Sequence, residues 1–216
     1  ADFLATQTGD GQLADDAAGR ALYLPGQTPV GGERSGVDGN AHAKFSRFNL
    51  GVDSVTDNGD KMGAFVEMDF FGGALGNQTA TNTYGVTLRH AYMYWNNWLA
   101  GQTWSNFMDV GSMPEAVDFV GPTDGVIFVR QAQLRYTKGA FSAALENSET
   151  TLVGTTSSDR GALPDLTLRY GWKGDWGTFG IGALARSLKV DRPGYDDSSF
   201  AGGLTLGGKW SMGSKD

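Results

Sequence analysis

The stretch KMGAFVEMDFF, residues 61–71, alternates apolar and polar positions along its length. One side of an extended chain would carry a run of apolar side chains: Met62, Ala64, Val66, Met68 and Phe70. Lys61, Glu67 and Asp69 fall on the other side. Because the pleat of a β-strand points successive side chains to opposite faces, this period of two predicts a strand with one apolar and one polar face.

The same period recurs along the chain, for example in residues 164–172 and 200–212. Many of the periodic segments approach the ~9–11 residues that a tilted strand needs to cross a membrane. We predict nine strands, at residues 41–53, 61–71, 83–95, 98–104, 126–137, 139–147, 164–173, 176–188 and 199–213.

The connections between these strands are alternately short and long. The short ones are residues 54–60, 96–97, 138 and 174–175, and the long ones are 72–82, 105–125, 147–163 and 191–198. Tight turns at one end and long loops at the other are typical of transmembrane β-barrels. We therefore interpret residues 41–216 as part of one all-β, antiparallel transmembrane barrel, and residues 1–40, which lack a sustained period, as a long extracellular loop.

Nine antiparallel strands cannot close a barrel with an even number of strands, and lipid does not tolerate an open sheet edge. Barrels with an aqueous lumen have roughly 16–18 strands. We therefore expect this sequence to contain the second to the tenth strand of a longer barrel.

Tryptophan is concentrated near the short turns: Trp95, Trp98, Trp172, Trp176 and Trp210. This residue collects at membrane interfaces because its ring is amphipathic. Strict alternation puts Trp172 and Trp210 on the apolar face but Trp95 and Trp176 on the polar one, so these two require a bulge or packing inside. A soluble or surface-attached β-sandwich that binds a partner stays open as the alternative. A sandwich would bury the apolar face, whereas a barrel exposes it to lipid.

Composition argues against several other functions. The net charge of −7 leaves no dominant basic surface for nucleic acid. With no cysteine, and with His42 and His90 as the two histidines, the chain offers no thiolate or histidine-rich metal site. Neither histidine lies near a nucleophile motif, so we predict no enzymatic activity and no cofactor, and we interpret His90 as girdle or interface packing. The acidic stretches at 9–16 and 191–199 lack EF-hand spacing for Ca²⁺ and are interpreted as solvated loops.

Several motifs give the chain a family resemblance. The stretch GQTWSNFMDVGSMPEAVDFVGPTDGVIFVRQAQLRYT (101–137) resembles the DcaP-like porins of Gram-negative outer membranes, as do RHAYMYW (89–95), FVEMDFFG (65–72) and ALENSETT (144–151). The resemblance implies a 16-stranded homotrimer in the outer membrane that passes small organic anions such as dicarboxylates. It also implies that the third long loop, residues 105–125, folds inward as a constriction.

Charged side chains at membrane depth are costly unless they face water or a partner, so the polar faces of the strands should line the channel. The predicted lining residues are Arg47, Glu67, Asp69, Arg89, Arg130, Gln133, Arg135, Glu146, Arg169, Arg186 and Lys209. The predicted constriction residues are Asn106, Asp109, Glu115 and Asp118. The arginines form a ladder that attracts anions, or brace the wall through carboxylates, or do both. Arg130 falls on the opposite parity from Arg135, which requires a bulge or a position above the membrane.

Overall fold

The computed structural model describes residues 2–9, 36–72, 85–113, 127–151, 158–159 and 163–212. Apart from one 3₁₀ turn at Val110–Ser112, the regular elements in these ranges are strands. The strands are β1 (Leu4–Gly9), β2 (Val37–His42), β3 (Phe48–Val55), β4 (Lys61–Gly72), β5 (Gly85–Trp95), β6 (Trp98–Trp104), β7 (Arg130–Lys138), β8 (Phe141–Glu146), β9 (Thr150–Thr151), β10 (Ser158–Asp159), β11 (Asp165–Gly174), β12 (Gly177–Arg192) and β13 (Tyr195–Trp210).

Nine of these strands form one antiparallel sheet in the order β13-β12-β11-β8-β7-β6-β5-β4-β3. The neighbours in this sheet follow one another in the chain, apart from the short β9 and β10, which pair with each other in the connection between β8 and β11. The nine predicted strands and the all-β class are therefore confirmed, with shifts at the strand ends.

The opening of the chain differs from the prediction. Within the predicted loop at 1–40, β1 pairs with β2 in an antiparallel ladder from Leu4↔His42 to Gly9↔Val37. The predicted strand 41–53 is broken by a turn in which the Ser46 amide donates to the Ala43 carbonyl at 3.0 Å, and β3 begins only at Phe48. Backbone pairing needs no apolar face, so a ladder of polar residues leaves no period for sequence reasoning to detect.

The predicted loop at 191–198 is also corrected, because the ladder between β12 and β13 continues almost to its end. Asp191 pairs with Asp196 and Arg192 with Tyr195, and only two residues, Pro193 and Gly194, connect the strands. Gly194 has a φ of +84°, a left-handed conformation that glycine adopts without steric cost. Proline and glycine together therefore replace the predicted long loop by a tight turn.

The chain divides into two compact units. The first holds the described residues of 1–51 and 65–91, and the second holds those of 52–64, 92–114 and 125–216. No helix among the described residues is long and apolar enough to cross a membrane.

Strand register in the second unit defines two faces of the sheet. We call one the apolar face: Leu134, Leu145, Leu166, Leu168, Tyr170, Ile181, Leu204 and Leu206. We call the other the polar face: Gln133, Arg135, Ser142, Glu146, Asp165, Thr167, Arg169 and Arg186. The apolar face is the exposed one, with Leu204 at 80%, whereas Glu146 on the polar face is 3% exposed. A β-sandwich would bury its apolar face, so this distribution argues against the sandwich alternative.

The tryptophans that alternation placed on the polar face lie instead with exposed apolar side chains. Trp176 sits in the turn between β11 and β12, and its ring centroid is 5.8 Å from that of Trp210. Trp95 is 57% exposed. The exposed positions of β5 change from even numbers at Leu88 to odd numbers at Met93, so alternation breaks between them, as at a β-bulge.

The exposed apolar face generates a test of stability in a bilayer. We expect Leu206→Arg to lower the free energy of unfolding by up to about 2–4 kcal/mol, because a cation on the lipid face of a barrel is destabilising. Leu206→Met, which keeps the volume and the apolar character, should cost under ~1.5 kcal/mol. Denaturant titration of the full-length protein in lipid would measure both, and equal losses would contradict a lipid-facing Leu206.

Candidate functional site

Residues 105–113, which follow β6, leave the sheet and lie against the polar face; we call them the 105–113 segment. The Ser105 amide donates to the Val129 carbonyl at 3.0 Å, and the Met108 amide then donates back to the Ser105 carbonyl at 3.1 Å. Phe107 and Met108 are 7% and 3% exposed, and with Ala144 they are the apolar side chains that are buried in the described part of the chain. The segment therefore provides much of the small apolar interior.

The carboxylate of Glu146 fixes the start of this segment. Its Oε1 accepts hydrogen bonds from the Asn106 amide and from the Thr167 hydroxyl, each at 2.8 Å. The Asn106 side chain accepts from the Ser142 hydroxyl and donates to the Thr167 carbonyl at 3.4 Å. Hydrogen bonds to an ionised acceptor are about twice as strong as neutral ones. A predicted constriction residue, Asn106, and a predicted lining residue, Glu146, thus lie in one buried network.

Asp109 fixes the middle of the segment. Its Oδ1 accepts a hydrogen bond from Arg169 Nη2 in an ion pair and another from the Gly111 amide at 3.2 Å. Its Oδ2 accepts from the Ser112 hydroxyl at 2.6 Å. The structure therefore brings together Asp109 and Arg169, which were predicted from opposite sides of a constriction. Glu115 and Asp118, the other predicted acids of this loop, lie outside the described residues.

Two facing glycines make room for the Asp109 carboxylate, and sequence reasoning did not identify their role. Gly180 of β12 pairs with Gly207 of β13, and a Cβ atom on either would lie 2.8 Å from Asp109 Oδ2. A Cβ on Gly203 would lie 3.3 Å from the ring of Phe107. We call Gly180 and Gly207 the glycine recess. The available signal was the absence of side chains at positions that alternation places on the polar face.

The remaining predicted lining residues of the second unit have different environments. Arg186 forms an ion pair with Asp165 at 3.3 Å and donates to the Glu149 carbonyl at 2.6 Å. Gln133 is 6% exposed and donates to the Trp104 carbonyl at 2.9 Å. Among the described residues, no carboxylate lies within ion-pair distance of Arg135.

Two further predicted lining residues in this unit lie at different places on the sheet. Lys209 is exposed and pairs in register with Thr178 on the polar face.

The structure does not bring Arg130 to the polar face. β7 is paired regularly with β6 from Trp104↔Arg130 onward, so Arg130 lies on the face opposite to Gln133 and Arg135. Its guanidinium stacks over the Trp104 ring, 4.4 Å from the centroid. The regular register removes the bulge that would have re-aimed it, and the cation–π contact gives the charge a partner on this face.

The first unit contains a separate cluster of predicted lining residues. Arg89 donates to Glu67 at 2.8 Å and to Asp69 at 3.0 Å, and Arg47 lies 3.5 Å from Glu67. His90 Nε2 is 3.9 Å from the same Glu67 carboxylate and the residue is 8% exposed, so His90 does not lie in an exposed girdle. Since the side chains of Arg89 and Asp69 are only 6% and 2% exposed, this cluster braces the sheet.

Metal binding gains no support from the described residues, in which no group of three or more His, Asp or Glu side chains is placed to hold an ion. The acidic stretch at 191–199 belongs to the β12–β13 hairpin. Most of the stretch at 9–16 lies outside the described residues.

The family model of the DcaP outer membrane protein matches residues 26–216. The chain belongs to the DcaP outer membrane protein family. Its structure is similar to the crystal structure of the outer membrane channel DcaP of Acinetobacter baumannii, with a TM-score of 0.76 and 25% identity, over 98% of this chain and 58% of that one. No curated protein sequence matches the chain.

The DcaP family match places this chain in the bacterial outer membrane, as the sequence predicted. The family is one of membrane channels and not a class of enzymes. The chain spans 58% of the length of the solved channel.

The glycine recess predicts the effect of an added methyl group on the free energy of unfolding, and a second glycine provides a matched control. Gly207→Ala should lower the free energy of unfolding by about 1–3 kcal/mol, because the added methyl group would push against Asp109 and Ser112 in a packed site. Gly171→Ala adds the same group on the same face, where no atom lies within 4 Å of the new Cβ. It should be neutral or stabilising by ~0.4–1 kcal/mol. Equal destabilisation of the two variants in denaturant titrations would rule out the recess.

Proposed function

We propose that the protein is an outer-membrane porin, a passive diffusion channel for small hydrophilic solutes that prefers small organic anions such as dicarboxylates. It carries out no enzymatic reaction and needs no cofactor in this proposal. The observation that carries it is the inverted distribution of polarity, in which an exposed apolar face lies opposite a buried polar face that includes Glu146 and Thr167.

This inversion fits a barrel wall better than any soluble sheet. Strands can cross a bilayer because each backbone group is paired with a neighbouring strand, and the outward side chains then contact lipid. Side chains on the opposite face contact water, where charges such as Arg135 and Lys209 are not penalised. The alternation observed across β7, β8, β11, β12 and β13 supports this arrangement.

The 105–113 segment supports the proposal that the loop at 105–125 narrows the channel. It is tied to the polar face at two points, by Glu146 at Asn106 and by Arg169 at Asp109. A loop held inside a barrel in this way places its backbone and side chains in the path of solutes. We extend the proposal to Glu115 and Asp118, whose charges would act across the same constriction.

The proposed preference for anions rests on Arg135 and Arg169. Arg89 and Arg186 are neutralised by Glu67, Asp69 and Asp165, so they contribute little net field. Arg135 has no carboxylate within ion-pair distance in the described ranges, and the side chain of Arg169 is 30% exposed beside Asp109. Guanidinium groups that reach water can pair with a passing carboxylate while holding it weakly.

We also propose that the protein forms a homotrimer in the outer membrane, by analogy with the family it resembles. Chemical cross-linking of the full-length protein in lipid should trap a ladder that ends at three copies. Cross-linking that stops at one copy would contradict this part of the proposal without affecting the channel.

Ion selectivity tests the role of Arg135. Arg135→Gln should lower the anion-to-cation permeability ratio by about two- to fivefold. The reason is that a part-exposed pair between the guanidinium and a passing anion is worth ~0.2–1 kcal/mol. The effect should fade near 1 M salt, where the Debye length falls to about 3 Å. Arg192→Gln, which removes the same charge beside the β12–β13 turn, serves as the control. Reversal potentials of the full-length protein under a salt gradient give the ratio, and an unchanged ratio in Arg135→Gln would contradict the assignment.

A further inference from the structure

The ion pair between Asp109 and Arg169 is more accessible than the ion pairs of Arg89 and Arg186. The Arg169 side chain is 30% exposed, whereas that of Arg89 is 6% exposed and holds two carboxylates. Arg186 is 25% exposed but has a second acceptor in the Glu149 carbonyl. A solute in the water beside this face can therefore reach the guanidinium of Arg169 more readily than the guanidinium groups of Arg89 and Arg186.

The contact with Asp109 also leaves most of the Arg169 guanidinium unused. A guanidinium carries five N–H donors in a planar fork that suits bidentate pairing with a carboxylate. In the ranges that the structure describes, Arg169 makes a single side-chain hydrogen bond, from Nη2 to Asp109 Oδ1. The remaining donors are open to an outside carboxylate.

Asp109 does not depend on Arg169 for its hydrogen bonds. The Gly111 amide and the Ser112 hydroxyl both donate to its carboxylate, at 3.2 Å and 2.6 Å. The glycine recess gives the carboxylate space between β12 and β13. A buried carboxylate that loses every donor is costly, but one that keeps two can give up an arginine at a modest cost.

We propose that Asp109 is an internal competitor for the carboxylate-binding site at Arg169. This inference rests on the proposed anion channel and names a residue that sets its affinity. A carboxylate solute pairs with the open donors of Arg169 and displaces Asp109, which stays bound to Gly111 and Ser112. When the solute moves on, Asp109 returns to Arg169. The competition keeps binding weak, as fast passage through a channel requires.

Arg135 gives a dicarboxylate a second cation on the same face. It pairs in register with Ala144, which pairs with Thr167, two positions from Arg169 along β11. Two strand spacings of ~4.8 Å and two residues of ~3.4 Å rise put the two Cα atoms roughly 12 Å apart. Long side chains that converge from this separation can take the two ends of one small dicarboxylate.

Block of chloride current by succinate, in planar bilayers with the full-length protein, tests the competition. Asp109→Asn should lower the apparent dissociation constant of succinate about two- to fivefold, because Arg169 loses its competing charge. In Arg169→Gln the block should weaken, and adding Asp109→Asn to it should have little further effect, which is the non-additivity expected of coupled residues. Asp175→Asn removes the same charge in the exposed turn between β11 and β12 and should leave the block unchanged.

Hydrogen exchange gives a readout that does not depend on current. Succinate should speed exchange of the amides in the 105–113 segment of the wild type, and should have no effect in Arg169→Gln. Equal shifts of the succinate block in Asp109→Asn and Asp175→Asn would overturn the proposal, and so would unchanged exchange at saturating succinate. Anion selectivity would survive either result. If succinate blocks no variant and reversal potentials show no anion preference, the proposed anion channel fails as well.

Discussion

The sheet exposes apolar side chains on one face and encloses polar side chains on the other, and the rest of the structure depends on this constraint. With Leu204 and Leu206 exposed on one face, the other face has to enclose polar groups. The interior is therefore held together by hydrogen bonds and ion pairs more than by apolar packing, and each buried polar group needs a partner there. Glu146 shows the result, since one buried carboxylate oxygen joins strand β8 to Thr167 of β11 and to the backbone of Asn106.

Burial separates the arginines of the polar interior into two groups. Arg89 is closed in by Glu67 and Asp69, and removing one member of such a set would leave an uncompensated buried charge. Arg169 touches a single carboxylate at a site that is open to water. In our proposal Arg169 attracts anions and Arg89 braces the sheet, and the exposed fraction of each guanidinium is the basis of this assignment.

Sequence periodicity predicted the nine strands and their two faces because alternation follows directly from the pleat. It failed where structure does not depend on an apolar face, as in the β1–β2 ladder and in the extension of β12 and β13 to Pro193–Gly194. It also failed at Trp95, because one irregularity in β5 reverses every later position of a strand. The sequence already showed that Arg130 and Arg135 have opposite parity. The structure confirms this parity, and it therefore contradicts the assignment of Arg130 to the channel lining.

Residue type predicted Asp109 and Arg169 as members of the site. Their pairing also depends on two positions without side chains, Gly180 of β12 and Gly207 of β13. A search of the sequence for charged or catalytic side chains does not find Gly180 and Gly207. Their paired positions nevertheless determine how closely the 105–113 segment can approach the sheet. A larger residue at either position would push Asp109 away from the sheet, toward the solutes that we propose compete with it for Arg169. The affinity of such a channel would then depend on backbone approach as much as on its charges.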